Sequence, residues 1–451
     1  MTALTTIAQH ADALRAGRTS ATGLVDEALA RIQAPQGEGA RAFTRVYDAA
    51  ARAAARASDE LRAVGLARSV IDGLPISIKD LFDVAGETTM AGSVARQGEP
   101  PATADAVVVQ RLRAAGAVIV GRTNMTEFAF SGLGINPHHG TPRNAWDRGT
   151  GRIPGGSSSG AAVSVTDGMA VAGIGSDTGG SVRIPAALCG LAGFKPTARR
   201  VCLQGALPLS ASLDSIGPIA PTVQCCAQLD AILAGEPRVT SRPAALRGLR
   251  LAVPRTLALD GMDAHVAATF QQTLTRLSAA GALVTEIDVP AFARVAAINA
   301  KGGLTAAEAW WWHRDLIARA ADRYDPRVVS RILRGKDISA ADHLDVLQAR
   351  AAWIAEVEAD IAGFDALVLP TVPVVAPAID ETAATDDAYF RANGLVLRNP
   401  SLINFLDGCA LSIPCHEAGS APVGLMVAGP AMSDTRILSI GLALEAALSS
   451  R

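Results

Sequence analysis

The stretch from Ile153 to Gly190 constrains this chain more than any other, because its glycines and serines are placed and not scattered. Gly155-Gly156-Ser157 and Gly179-Gly180-Ser181 set two serines 24 residues apart, on either side of a predicted helix and strand. Glycines just before a serine let the backbone approach a ligand closely and turn several N–H groups towards one point, as an oxyanion hole requires. A phosphate-cradling loop is the competing reading, since Gly173, Gly175 and Gly179 follow the apolar stretch Met169–Val171. A dinucleotide fingerprint, however, needs glycine where Thr178 stands and an acidic residue about 20 positions on. The downstream stretch here is Lys195-Pro196-Thr197-Ala198-Arg199-Arg200, and no GxxxxGK[ST] occurs, so nucleotide binding is disfavoured.

A serine nucleophile needs a base. His10, His265, His313, His343 and His416 are isolated, His138-His139 lies in a proline-flanked loop, and no G-x-S-x-G elbow or HExxH helix is present. They read as surface or satisfied core histidines. A lysine serves only if desolvation keeps it neutral. Lys79 suits that description: it follows the apolar segment Leu74-Pro75-Ile76-Ser77-Ile78, where a charge is costly unless it is functional or paired.

Around these motifs the pattern is that of an α/β protein. Helical spacing of Leu4, Ile7, Ala11 and Leu14, a helix over Leu24–Ile32 capped by Ser20, and a third helix over Ala49–Leu61 predict a helical arm over residues 1–65. Short apolar strands then alternate with helices: Leu74–Ile78, a helix over Asp105–Ala115, Ala117–Val120, Leu249–Val253, a helix over Asp263–Ala280, Ala282–Val289, Ala366–Leu369, Val423–Val427 and a helix over Asp434–Leu448. Residues 292–361 read mostly as helix and carry Trp310-Trp311-Trp312-His313, which makes them either a cap or rim over the sheet or an ordinary packed layer. The tryptophans suggest an aromatic or apolar substrate, although three consecutive helical positions point in different directions. With no repeat and no long linker, residues 1–451 read as a single domain.

Composition narrows the partner. A net charge of −2 with only 19% charged residues gives no basic groove for nucleic acid and no reason to expect a membrane surface. Cys189, Cys202, Cys225, Cys226, Cys409 and Cys415 lack paired zinc-type spacing and read as reduced and mostly buried. The N-terminal residues are neither a secretory leader nor a span, which predicts a cytoplasmic protein.

Three motifs in order, Ile76-Ser77-Ile78-Lys79-Asp80, Gly155-Gly156-Ser157-Ser158-Ser159-Gly160 and Ser176-Asp177-Thr178-Gly179-Gly180-Ser181-Val182-Arg183-Ile184-Pro185-Ala186, closely resemble the amidase signature family. Gly121–Met125, Phe194–Thr197, Ser212–Pro218 and Pro422–Leu425 resemble further landmarks of that family, so the resemblance spans about residues 5–448. It implies a mixed central sheet covered by helices on both faces, with the catalytic core over residues 66–220. It also implies an amide hydrolase with a Ser-cisSer-Lys triad and no cofactor or metal. Ser181 would be the nucleophile, Ser157 the relay after a cis peptide bond, and Lys79 the neutral base. Backbone N–H groups of Thr178, Gly179, Gly180 and Ser181 would form the oxyanion hole. Asp177 and Arg183 would brace the loop as a buried ion pair, and Ala129, Phe130 and Ser131 would bind substrate.

The resemblance admits two activities, a stand-alone hydrolase of a small amide, carbamate or arylamide, working as monomer or homodimer, and the glutaminase subunit of a tRNA-dependent amidotransferase. Between Thr197 and the Ser-Leu-Asp motif, Ala198–Leu209 departs from the tyrosine- and arginine-containing run usual in the glutaminase subunit, which favours the hydrolase. A non-catalytic binding protein is disfavoured because Lys79, Ser157 and Ser181 are all present.

Overall fold

The computed structural model describes residues 4–237 and 240–449; the ends of the expected domain, 1–3 and 450–451, lie outside the described residues. The strands are β1 Phe43–Val46, β2 Pro75–Lys79, β3 Val118–Thr123, β4 Ala172–Ser176, β5 Ala192–Lys195, β6 Ile216–Ala220, β7 Arg250–Pro254, β8 Leu283–Ile287, β9 Ala366–Pro370, β10 Cys409–Pro414 and β11 Gly424–Gly429. Among the described residues they form one mixed sheet in the order β1-β3-β2-β4-β6-β5-β10-β11-β9-β7-β8. The pairs β2/β3, β2/β4, β7/β8 and β7/β9 are parallel, and the rest are antiparallel.

Neighbouring residues on these strands enter different cores, because side chains alternate across a sheet. In β11, Leu425 and Val427 pack into one cluster, and Met426 and Ala428 into another. In β9, Ala366 and Val368 divide from Leu367 and Leu369 in the same way. The first cluster is closed by helices Val223–Ala234, Ala264–Ala279 and Asp434–Ser449, and the second by Ala340–Ile361 and Asp386–Phe405. Helices therefore cover both faces of the sheet, and β2, β4, β9 and β11 are buried along their whole length.

The first 65 residues are not all helix. Phe43–Val46 forms the edge strand β1, antiparallel to β3, where four residues are too short to register as a period in the sequence. β5, β6 and β10 also escape a periodicity reading, because strands buried on both faces do not alternate apolar with polar residues. Residues 292–361 are helical throughout their main elements, Gly303–Ala320, Pro326–Leu333 and Ala340–Ile361. No helix among the described residues is long and apolar enough to cross a membrane. All six cysteines are free thiols, with Cys202 exposed and Cys415 half-buried.

Candidate active site

Parallel pairing of β2 with β4 brings their C-terminal ends side by side, with Lys79 ending one strand and Ser176 the other. Lys79 is completely buried, and its Nζ donates to Ser157 Oγ at 2.7 Å and to Ser176 Oγ at 2.8 Å. Burial pushes its pKa down to about 7, against the opposing pull of the Asp177 and Asp214 charges. Both acceptors are neutral hydroxyls, so an uncharged amine also suits this setting.

Ser157 follows a cis peptide bond at Gly156–Ser157. Backbone bonds hold the turn: Gly156 N–H donates to Gly132 O at 2.7 Å, and Thr126 N–H donates to Ser157 O at 3.1 Å. A β-carbon on Gly156 would lie 2.4 Å from Gly134 N, so only glycine permits this approach. Ser158 N–H donates to Ser181 O at 3.3 Å, tying the two Gly-Gly-Ser elements together. Ser158 and Ser159 direct their hydroxyls to the backbone oxygens of Ser176 and Asn124.

Ser181 lies on the loop between β4 and the helix Arg183–Cys189. Asp177 and Arg183, neither exposed to solvent, are joined at 2.9 Å beneath that loop. Burial opposes the ionisation of Asp177, but the charge and hydrogen bonds of Arg183 outweigh it and hold the carboxyl far below the usual range. Asn404 completes the brace, accepting from Arg183 Nη2 at 2.6 Å and donating to Asp177 Oδ1 at 2.9 Å.

Among the described residues, the N–H groups of Thr178, Gly179 and Ser181 have no protein partner. Gly180 departs from the sequence expectation: its N–H donates to Asp177 Oδ1 at 2.8 Å, leaving three free N–H groups where four were expected. The loop needs the Gly180 backbone to adopt φ +127°, and a β-carbon there would meet Pro400 Cβ at 2.5 Å.

A cavity of about 430 Å³ opens beside Ser181, lined in part by Ala129, Phe130, Ser131, Thr178 and Gly179. The Phe128-Ala129 turn has positive φ at both residues. Buried Glu127 anchors it, accepting from Ser93 Oγ at 2.7 Å and from Asp325 N–H at 2.7 Å. Ser131 Oγ donates to Asn393 Oδ1 at 2.9 Å. A second cavity of about 160 Å³ lies across Thr178, sharing Ala129 and Leu209 with the first. Thr178 Oγ1 donates to Asp214, whose pKa burial pushes up to about 6 against the hydrogen bonds it accepts.

From the 292–361 segment, Val295, Asn299, Thr305 and Arg331 line the larger cavity. The tryptophans do not. Trp310 and Trp311 line a separate cavity of about 320 Å³, and Trp312 packs on Phe128 with ring centroids 6.3 Å apart. Two of the three thus share one cavity, within the limit that consecutive helical positions set, and none lines the cavity beside Ser181. His313 is a core histidine, buried and paired with Tyr324 Oη at 2.9 Å. The structure bonds Lys79 to Ser157, pairs Asp177 with Arg183 and sets Ser181 in one cavity with residues 129–131, whereas Ser176, Asn393, Asn404, Arg331 and Arg398 were not singled out. Ser176 had a signal, since it ends the strand before the nucleophile loop; the others lie over 100 residues from the motifs with no local mark.

The amidase family model matches residues 23–438. The chain is 36% identical over 446 residues to a 2-amino-5-chloromuconic acid deaminase of Comamonas testosteroni, covering 98% of this chain and 95% of that protein. It is 35% identical over 477 residues to a glutamyl-tRNA(Gln) amidotransferase subunit from Chloroflexus aggregans, covering 98% and 96%. A crystal structure of an amidase superposes with a TM-score of 0.88 at 34% identity, covering 98% of this chain and 99% of that one. With a match that spans nearly the whole sequence and the whole sheet, the chain belongs to the amidase family and is an amide-bond hydrolase.

Proposed function

We propose that the chain is a stand-alone hydrolase of a small-molecule amide, working through an acyl-enzyme on Ser181. The observation that carries this reading is the buried Lys79 Nζ bonded at 2.7 Å to the hydroxyl of Ser157. Neutral Lys79 accepts the Ser157 proton as Ser157 accepts that of Ser181, and Ser181 Oγ adds to the carbonyl carbon. The oxyanion is stabilised by the free N–H groups of Thr178, Gly179 and Ser181, where losing one donor in other hydrolases costs about 2.7–4 kcal/mol. The proton returns through Ser157 to the leaving nitrogen, the C–N bond breaks and the amine departs. Water, deprotonated by the same relay, then cleaves the ester. Asp177, Arg183 and Asn404 hold the loop in place, and residues 129–131 position the substrate against it.

Residues 1–451 act in this reading as a single domain, with 66–220 supplying the motifs and 292–361 forming a rim over the cavity. A cytoplasmic enzyme, monomeric or homodimeric, fits the six free thiols. The glutaminase reading draws support from the relatives named as glutamyl-tRNA(Gln) amidotransferase subunits; the departure at Ala198–Leu209 weighs against it. Intact-protein mass spectrometry after exposure to a fluorophosphonate tests the proposal, with an amide and ester panel run on the lone chain. Labelling of the wild type that vanishes in Ser181→Ala, together with turnover of simple amides, is the expected result. Labelling that survives Ser181→Ala removes the nucleophile assignment, and glutamine hydrolysis that appears only with a partner protein favours the second reading.

A further inference from the structure

The walls of the 430 Å³ cavity carry charge of one sign. Arg331 and Arg398 line it, and among the described residues no lining side chain is acidic. Both guanidinium groups bond only to neutral oxygens. Arg331 donates from Nε to Arg327 O at 3.0 Å and from Nη2 to Phe130 O. Arg398 donates to Asn399 Oδ1 at 3.0 Å, Asp260 O at 2.6 Å and Ala258 O at 3.1 Å. A guanidinium has five N–H donors, so Arg398 keeps two unused. Arg183, a short way below, shows the alternative within the same fold: a buried arginine satisfied by its own carboxylate. Among the described residues neither forms an ion pair; burial lowers the pKa of both cavity arginines, outweighing the charges of Asp325 and Asp260, which act on them from outside the cavity lining. An incoming anion supplies what the protein leaves out.

Arg398 is also well placed along the cavity. It precedes Ser401 by three residues on the helix Asp386–Phe405, and Ser401 Oγ donates to Gly179 O at 3.2 Å. With a helical rise of about 1.5 Å per residue, the Arg398 backbone sits roughly 5 Å from that of Ser401 along the helix axis. A substrate with its carbonyl at Ser181 and an anion at Arg398 therefore needs only a spacer of a few carbons.

Resting on the amidase reading above, we propose that the substrate is a small amide that carries a carboxylate and no ammonium group, its carboxylate held by Arg398 while Arg331 adds to the positive potential. An α-amino acid such as glutamine would bring its ammonium into a cavity with two cations and no lining acid, which disfavours it.

The test compares kcat/KM for glutaramate, adipamate and pimelamate with pentanamide, hexanamide, heptanamide and glutamine, read as ammonia release. Calorimetric titration of glutarate, adipate and pimelate into Ser181→Ala accompanies it. The wild type should prefer the carboxylated amides by about 30-fold or more, the scale for a truncated, desolvated charge pair. In Arg398→Gln that ratio should collapse towards unity, and in Arg398→Lys part of it should remain. Dicarboxylate binding to Ser181→Ala should disappear when Arg398→Gln is added. Equal turnover of neutral and carboxylated amides overturns the proposal, as does a preference that survives Arg398→Gln or a preference for glutamine. If the wild type hydrolyses none of these amides while dicarboxylates bind in an Arg398-dependent way, the carboxylate site stands and the stand-alone hydrolase reading falls.

Discussion

The cluster around Lys79 and the cavity wall contributed by residues 295–305, Arg331 and the helix Asp386–Phe405 meet at Ser181, yet they are built on opposite plans. In the cluster the buried polar side chains find their partners inside the protein: Asp177 has Arg183 and Asn404, and Lys79 has two hydroxyls. In the wall, mostly apolar side chains surround two arginines that bond only to carbonyl and amide oxygens. The closed cluster holds atoms in fixed places for a reaction common to many amides. The open wall leaves its polar requirements to be met by what binds, which is how a shared reaction acquires a particular substrate.

The largest effect that can break this contrast is Ser181→Ala. It should lower kcat/KM by about four orders of magnitude or more with an unchanged melting temperature, because the nucleophile acts as one unit with its relay. Appreciable turnover in that variant would mean that the closed cluster does not perform the chemistry. Next in size is a comparison of two arginines by urea denaturation. Arg183→Leu leaves Asp177 buried without its counter-ion and should cost about 3–5 kcal/mol of stability. Arg398→Leu frees only two backbone carbonyls and the Asn399 amide oxygen and should cost about 1 kcal/mol; similar losses for both would erase the distinction between the regions. Smallest of all, Trp311→Ala should change stability by less than about 0.5 kcal/mol and leave kcat/KM unmoved, since the exposed ring lies outside the Ser181 cavity. A marked fall in kcat/KM would show that the neighbouring cavity takes part in substrate binding.

How much of each region was legible in the sequence follows from how it is built. Lys79, Ser157 and Ser181 stand in motifs whose residue types are costly or strained elsewhere: a lysine after an apolar strand, and serines behind paired glycines. Those local anomalies mark a site in the sequence itself. The brace was half legible, because Asp177 and Arg183 lie six residues apart, while Asn404 reaches them from the far end of the chain. The wall left almost no trace, since Arg331 and Arg398 look like ordinary helical surface arginines until the fold sets them against Phe130 and the Ala258 carbonyl. The tryptophans are conspicuous in composition, yet none of them lines the Ser181 cavity. In the sheet, β7, β8, β9 and β11 were readable as short apolar runs. β1, β5 and β6 were not, because β1 has only four residues and Gly193, Gly217 and Pro218 interrupt the apolar runs of β5 and β6.

The central claim is that a neutral Lys79 activates Ser181 through Ser157, and the pH dependence of fluorophosphonate labelling tests it whatever the substrate is. Because burial pushes the Lys79 pKa down to about 7, its base form accumulates as pH rises through that value. The labelling rate of Ser181 should climb along the same limb and level off above it, and Lys79→Ala should label far more slowly with the limb gone. An ascending limb near pH 7 that persists unchanged in Lys79→Ala would contradict the account, and would assign the proton transfer to another group.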